Sequence, residues 1–249
     1  MTLPPVQETA LLLDLDGTLL DIAPTPGTVH VPLGLVASLV ALREALGGAL
    51  AVVTGRPIDQ VDGLLPGVPY AVAGEHGGAI RFRPGGEVTR AVLPDPPVAW
   101  VIEAARIVER HPGAMLEQKQ RGFVFHYRAA PEAGPALQEA AAALIAPEAD
   151  RFQLLSALMA WEVRPRGVDK GSAVQALMAE APFAGRRPVF VGDDVTDEDG
   201  MEAARMLGGA GLRVDRWFGA AGDVRGWLTA AASARDWPPL PLDGRHPYP

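Results

Sequence analysis

Short apolar runs closed by glycine, proline or small polar residues alternate along this chain with stretches whose apolar positions recur every three to four residues. That alternation predicts strand–helix–strand units around a parallel sheet. Residues 10–15 form the first run, ending in Asp16, Gly17 and Thr18, and a helical pattern over 33–46 follows a proline-spaced loop. Residues 49–53 form the second, leading into Thr54, Gly55 and Arg56, with Pro57 placed to open a short helix. Residues 70–73 read as a third strand.

The pattern then changes. Residues 81–91, broken by Pro84, Gly85 and Gly86, predict a hairpin, and 98–110 predict a helix. Short strands over 115–119, 123–128, 152–155 and 160–164 surround an alanine-rich helix over 136–146. After Pro165 the earlier rhythm resumes with a helix over 170–181, a buried strand over 189–191, a helix near 198–205 and a strand over 211–214. The expected architecture is therefore a doubly wound, Rossmann-like α/β core made of residues 1–83 and 166–235, interrupted by an α+β domain over 84–165. Residues 236–249, with five prolines, are expected to pack loosely or not at all.

Composition narrows the chemistry. The 249 residues carry a net charge of −8, which disfavours nucleic acid or an anionic membrane as the main partner. No apolar run reaches the roughly 18 residues of a membrane span and the N-terminus lacks signal-peptide character, so a cytoplasmic protein is the reading. A monomer is the working expectation, one that no residue pattern carries. Without cysteine there is no disulfide, no thiolate nucleophile and no Cys-ligated metal, which leaves hard oxygen ligands. The 22 basic residues are arginine except Lys119 and Lys170, so a retained lysine hints at a task suited to a compact ammonium.

Four short segments carry the candidate chemistry. The first strand ends in DLDGT, which puts Asp14 and Asp16 at the carboxyl end of a parallel strand, where open sheets bind ligands. Two carboxylates closing an apolar strand are costly unless a cation such as Mg²⁺ balances them; the plainer alternative is a pair of capping aspartates. The strand over 189–191 ends in GDDVTDED, so Asp193, Asp194 and Asp197 follow a buried run rather than merely decorating a helix start. Thr54 offers a hydroxyl donor. Lys170, at a helix start where the dipole disfavours it, offers a point charge for phosphoryl oxygens.

In that order, DLDGT, TGR, DKG and GDDVTDE resemble the four motifs of the haloacid-dehalogenase (HAD) phosphatase superfamily. DGTLLDIAPTP, AGEHGG, EQKQRGFVFHYRAAP and WEVRPRGVDKG further resemble the trehalose-6-phosphate phosphatase family, over about residues 11–205. The resemblance implies a Mg²⁺-dependent phosphatase acting on a small sugar phosphate, trehalose 6-phosphate. Asp14 is then the nucleophile and Asp16 the acid and base, while Thr54 and Lys170 hold the phosphoryl group. Asp14, the Asp16 carbonyl and Asp193 would ligate the metal, with Asp194 and Asp197 nearby.

Gly55 and Arg56 are expected at the substrate. The resemblance assigns Glu117, Lys119 and Glu162 of the inserted cap to sugar binding and sets Arg128 close to the phosphate. Strand parity puts Glu117 with Lys119, and Val124 with His126 and Arg128, on common faces. Glu75 and His76 either touch the sugar or shape the hinge. Met201 stands where the family carries an aromatic residue, and residues 215–227 fit it poorly. Sister phosphatases acting on sucrose phosphate or mannosyl phosphoglycerate, a sugar-phosphate mutase, and a non-catalytic phosphosugar-binding regulatory module are the rival readings.

Overall fold

The computed structural model describes residues 2–23, 29–119 and 121–242. In its first part the chain forms β1 (Thr9–Leu13), α1 (Leu35–Ala45), β2 (Leu50–Val53), α2 (Ile58–Leu64), β3 (Ala71–Gly74), β4 (Ala79–Arg81) and β5 (Val88–Arg90). There follow α3 (Val98–Glu109), β6 (Met115–Lys119), β7 (Gly122–His126), α4 (Gly134–Ile145), β8 (Phe152–Ala157) and β9 (Ala160–Pro165). The last part forms α5 (Lys170–Met178), β10 (Arg187–Gly192), α6 (Glu198–Met206), β11 (Ala210–Arg213), α7 (Val214–Trp217) and α8 (Ala221–Ala234). Among the described residues no helix is long and apolar enough to cross a membrane.

These elements fall into two compact units, one holding the described residues up to Ala91 and from Val168 onward, the other Val92–Gly167. The first is built on a seven-stranded sheet ordered β11-β10-β1-β2-β3-β4-β5, of which the first five strands run parallel. β1 (TALLL) is wholly buried because helices cover both of its faces. On one face Leu11 and Leu13 pack with α1, α2 and α8 through Leu39, Val61, Val224 and Leu228. On the other, Ala10 and Leu12 pack with α5 and α6 through Val174, Leu177 and Ala204. From β1 the chain winds outward to β2 and β3 on one side and later returns to β10 and β11 on the other. The direction of winding therefore reverses between β1 and β10, which opens a crevice at their carboxyl ends.

The second unit is a four-stranded antiparallel sheet, β6-β7-β9-β8. One face buries Phe123, Phe125, Phe152 and Val163 against Trp100, Ala104, Leu137 and Ala141 of α3 and α4. The strand period of two then assigns the alternate residues to the opposite face, where Glu117, Val124, Glu162 and Leu155 stand in one cross-strand row.

Two sequence expectations are corrected. The hairpin over 81–91 belongs to the first unit, because β4 begins at Ala79 and pairs antiparallel with β3, and β5 adds beyond it. The unit boundaries accordingly lie at 91/92 and 167/168 rather than 83/84 and 165/166. Residues 215–227, a poor family match, form most of α7 and the first half of α8, and α8 buries Val224, Trp227, Leu228 and Ala231 as a helical stripe.

The second concerns the proline-rich tail, which is packed as far as it is described; residues 243–249 lie outside the described residues, as do 24–28 of the proline-spaced loop and Gln120. The Trp237 indole stacks on Trp227 at 4.7 Å between ring centroids, and its Nε1 donates to the Pro4 carbonyl at 2.8 Å. Trp227 Nε1 in turn donates to the Pro238 carbonyl at 3.0 Å. Prolines bring carbonyl acceptors without competing N–H donors, and buried indoles need such acceptors. Trp237→Ala loses the stack and one hydrogen bond together, so urea denaturation should show a loss of about 2 kcal/mol in a transition that stays cooperative.

Candidate active site

Asp14 follows β1 directly and extends its ladder, donating its N–H to the Val191 carbonyl of β10 at 2.9 Å. Its side chain is 6% exposed. The chain must then turn sharply, and Gly17 does so with φ +81°. A Cβ at that position would overlap the Asp193 carboxylate, so glycine is required twice over, by dihedral and by contact. Gly192 meets the same limit against the Asp197 side chain.

Lys170 arrives from the opposite part of the sequence. Asp169 caps α5 in a reciprocal box with Ser172: Asp169 Oδ1 accepts the Ser172 N–H at 2.7 Å, and Ser172 Oγ accepts the Asp169 N–H at 3.0 Å. That cap sets the first helical residue, Lys170, with its Nζ 2.7 Å from Asp14 Oδ1 and 2.6 Å from Asp197 Oδ1. Lys170 is 3% exposed and Asp197 fully buried. The second Asp197 oxygen accepts the backbone N–H groups of Asp193 and Asp194 at 3.0 and 3.1 Å. Asp197 thus has both oxygens committed, and it shapes the loop that carries Asp193.

The electrostatics follow from one ammonium among several acids. Burial pushes the Asp14 carboxyl well above its usual range, Asp197 and Asp193 add to the rise, and Lys170 opposes it. Asp193 is pushed up to about 7 by burial and by Asp197 and Asp194, against Lys170 and the Thr18 hydroxyl. Asp197 is also raised, by burial first. Burial depresses Lys170, but Asp14, Asp197 and Asp194 outweigh it and hold the ammonium charged, above the usual lysine value. Asp194 lies below the usual range, because Lys170 and the Thr196 donors outweigh its burial.

Asp14, Asp193 and Asp197 present ligand oxygens within 4.8 Å of one another. With Asp197 engaged by Lys170 and the backbone, Asp14 and Asp193 are the pair with capacity for a cation. Their massed, partly desolvated charge is what a hard divalent ion would relieve, so the donor set fits one. Asp194 is turned instead onto Thr196, its Oδ1 accepting the N–H at 2.8 Å and the hydroxyl at 2.7 Å. Thr18 is fully buried, and its hydroxyl lies 3.4 Å from Asp193 Oδ1.

The end of β2 supplies the other wall. Thr54 is buried and fixed on three sides: its N–H donates to Ala73, its carbonyl accepts from His76, and its Oγ1 accepts the Arg56 N–H at 3.2 Å. Gly55 faces the His76 ring, which a Cβ would meet at 2.7 Å from Nε2. Arg56 grips Asp16 with both arms, Nε to Oδ2 at 2.6 Å and Nη2 to Oδ1 at 2.7 Å. Glu75 and His76 both take φ +55°, a left-handed pair that non-glycine residues rarely adopt, and Glu75 Oε1 is bound by Arg90 Nη1 at 2.8 Å.

In the second unit Glu117 Oε2 lies 2.8 Å from His126 Nε2, and Lys119 Nζ lies 3.4 Å from Glu162 Oε1, all four on the polar sheet face. Arg128 departs from the expected parity. β7 ends at His126 and the chain turns, Ala130 N–H donating to the Tyr127 carbonyl, which leaves Arg128 exposed on the turn. The reading from sequence missed the fork of Arg56 on Asp16 and the double duty of Asp197. Nothing local signals a pair 40 residues apart, whereas the four-residue spacing of Asp193 and Asp197 is a fold-back capping distance that could have been read.

A family model described as trehalose-phosphatase matches residues 12–219. The chain is 39% identical over 205 residues to a Sinorhizobium fredii protein named "Probable trehalose-phosphate phosphatase", covering 82% of this chain and 77% of that one. It is 38% identical over 208 residues to the trehalose-6-phosphate phosphatase of Escherichia coli, with the same coverage of 82% and 77%. Among solved structures, the C-terminal domain of the C. albicans trehalose-6-phosphate phosphatase superposes with a TM-score of 0.76 at 20% identity, covering 92% of this chain and 93% of that one. A haloacid dehalogenase-like hydrolase from Bacteroides thetaiotaomicron superposes with a TM-score of 0.62 at 14% identity, over 90% and 98% of the two chains, and shares the fold.

The raised carboxyls set the pH dependence of the metal-free protein. A group held near 7 when folded and 3.8 when unfolded contributes stability that is complete below the lower value and lost as pH rises through the higher. Under chelation the melting temperature should therefore fall between pH 4 and 7 on account of Asp193, and Asp193→Asn should flatten that fall; an equal slope in both proteins would contradict the assignment.

Proposed function

Because this chain belongs to the trehalose-phosphatase family, we propose that it hydrolyses trehalose 6-phosphate to trehalose and phosphate through an aspartyl phosphate on Asp14, with Mg²⁺ held by Asp14 and Asp193. One observation carries the reading: a buried Asp14–Lys170–Asp197 contact beside Asp193, at the carboxyl ends of the two strands where the sheet reverses.

Lys170 holds Asp14 through Oδ1 and leaves Oδ2 to attack phosphorus. As the bond from phosphorus to the sugar oxygen breaks, its electron pair stays on that oxygen, which takes a proton from the Asp16 carboxyl. The Asp16 carboxylate then accepts a proton from water as the water oxygen attacks phosphorus, and the pair of the breaking acyl phosphate bond returns to Asp14. The Thr54 hydroxyl and the Lys170 ammonium position the phosphoryl oxygens and offset their charge. A divalent cation, when bound, supplies the further positive charge that keeps Asp14 ionised and neutralises the phosphoryl group.

The polar sheet face of the second unit supports a sugar reader. Glu117 and Glu162 accept from hydroxyls, Lys119 donates, and a neutral disaccharide offers many hydroxyls. Two glutamates there disfavour a glycerate carboxylate, which argues against the mannosyl phosphoglycerate reading. A non-catalytic module would have no need of both Asp14 and Asp16.

Phosphate release from trehalose 6-phosphate should depend on added Mg²⁺, and Asp14→Asn should abolish it in a protein that still melts cooperatively; turnover that persists in this variant, or after exhaustive chelation, overturns the mechanism. Glu117→Ala, Lys119→Ala and Glu162→Ala should each lower kcat/KM for trehalose 6-phosphate about tenfold or more while affecting a simple aryl phosphate much less. Equal losses on both substrates would remove the sugar-reading role.

A further inference from the structure

Arg56 was expected at the substrate, yet its guanidinium is spent on Asp16. The two arms are short, 2.6 and 2.7 Å, and parallel, the fork geometry that fixes a carboxylate in orientation as well as position. The arginine side chain is only 13% exposed and the aspartate 36%, so the carboxylate is what an incoming group meets and the guanidinium stands behind it. Arg56 is itself held at several points. Its Nη1 donates to Gln60 Oε1 in the first turn of α2 at 3.3 Å, its N–H donates to the Thr54 hydroxyl, and its carbonyl accepts the Glu75 N–H at 3.0 Å. One residue thus joins the phosphate-facing Thr54, the left-handed Glu75–His76 turn and the carboxylate of Asp16.

We propose that Arg56 is a positioning residue that aims Asp16 at the leaving-group oxygen, rather than a residue that binds the sugar phosphate. The inference rests on Asp16 acting as the general acid. In the first half-reaction Asp16, protonated on a lone pair that the fork leaves free, gives that proton to the departing oxygen as the phosphorus–oxygen bond breaks. A misaimed carboxyl cannot deliver that proton, whereas a leaving group stable as an anion departs without it. The role of Arg56 therefore scales with the basicity of the leaving group. Charge alone does not fulfil it, because a lysine ammonium cannot form the fork.

The test uses kcat/KM, which reports steps up to phosphoryl transfer, across aryl phosphates from phenyl phosphate to 2,4-dinitrophenyl phosphate, none of which carries sugar. Arg56→Ala and Arg56→Lys should both steepen the dependence on leaving group, losing roughly 10- to 100-fold on phenyl phosphate and several-fold at most on the dinitrophenyl ester. On trehalose 6-phosphate both should lower kcat with KM little changed, and added guanidinium should partly restore kcat in Arg56→Ala. Equal losses across the series, or a raised KM with kcat preserved, would make Arg56 a phosphate or sugar ligand and overturn the proposal. Asp16→Asn separates the two levels. If it fails to steepen the series, the reading of Asp16 falls; if it steepens the series and the Arg56 variants do not, only the positioning role falls.

Discussion

The first unit is organised around a buried ammonium held between two carboxylates. Lys170, Asp14 and Asp197 are nearly or wholly shut off from water, so none of the three could stay charged without the others. Removing any one partner would strand charge in a poorly solvated place. The contact also unites distant sequence, since it ties the end of β1 to the start of α5 and to the loop after β10. The β1–β10 pairing brings the same ends together through backbone bonds alone. The backbone sets the distance and the ion contacts set the side-chain directions.

The contact does not balance its own charge. One ammonium faces Asp14, Asp193, Asp194 and Asp197, and the raised carboxyls of Asp14 and Asp193 record the excess. Asp197 spends both oxygens on the lysine and on backbone N–H groups, and Asp194 turns one onto Thr196, which holds the loop and leaves Asp14 and Asp193 as the unbalanced pair. Gly17 and Gly192 let these acids approach so closely, since a Cβ at either would occupy carboxylate space. The site is built strained toward negative charge, which suits a cation and then a phosphoryl group.

The second unit meets a different requirement with the same economy of pattern. Its sheet buries Phe123, Phe125 and Phe152 on two helices, and the strand period places Glu117, Lys119, His126 and Glu162 together on the other face. Pairing within that face, Glu117 with His126 and Lys119 with Glu162, keeps the charged groups oriented while leaving further donor and acceptor capacity. The two lysines of the chain are both set against carboxylates, one buried and one on this face.

Much of this was legible in the chain itself. Strands fully covered on both faces are continuous apolar runs, so β1, β2, β3 and β10 and the polar residues that follow them, Asp14, Asp16, Asp193 and Thr54 among them, stand out by local pattern. The paired faces of the second unit follow from parity as long as the strand lasts, and the method failed at Arg128 because parity cannot say where a strand turns. Tertiary structure alone decided what those side chains do to one another. That Arg56 grips Asp16, that Asp197 serves Lys170 and the backbone, that β4 and β5 extend the first sheet, and that Trp237 closes on Trp227 all depend on contacts between residues far apart in sequence. Periodicity reports which face a residue shares with its neighbours along the chain, whereas these pairings arise when separate elements are brought within a few ångströms by the packing of the core.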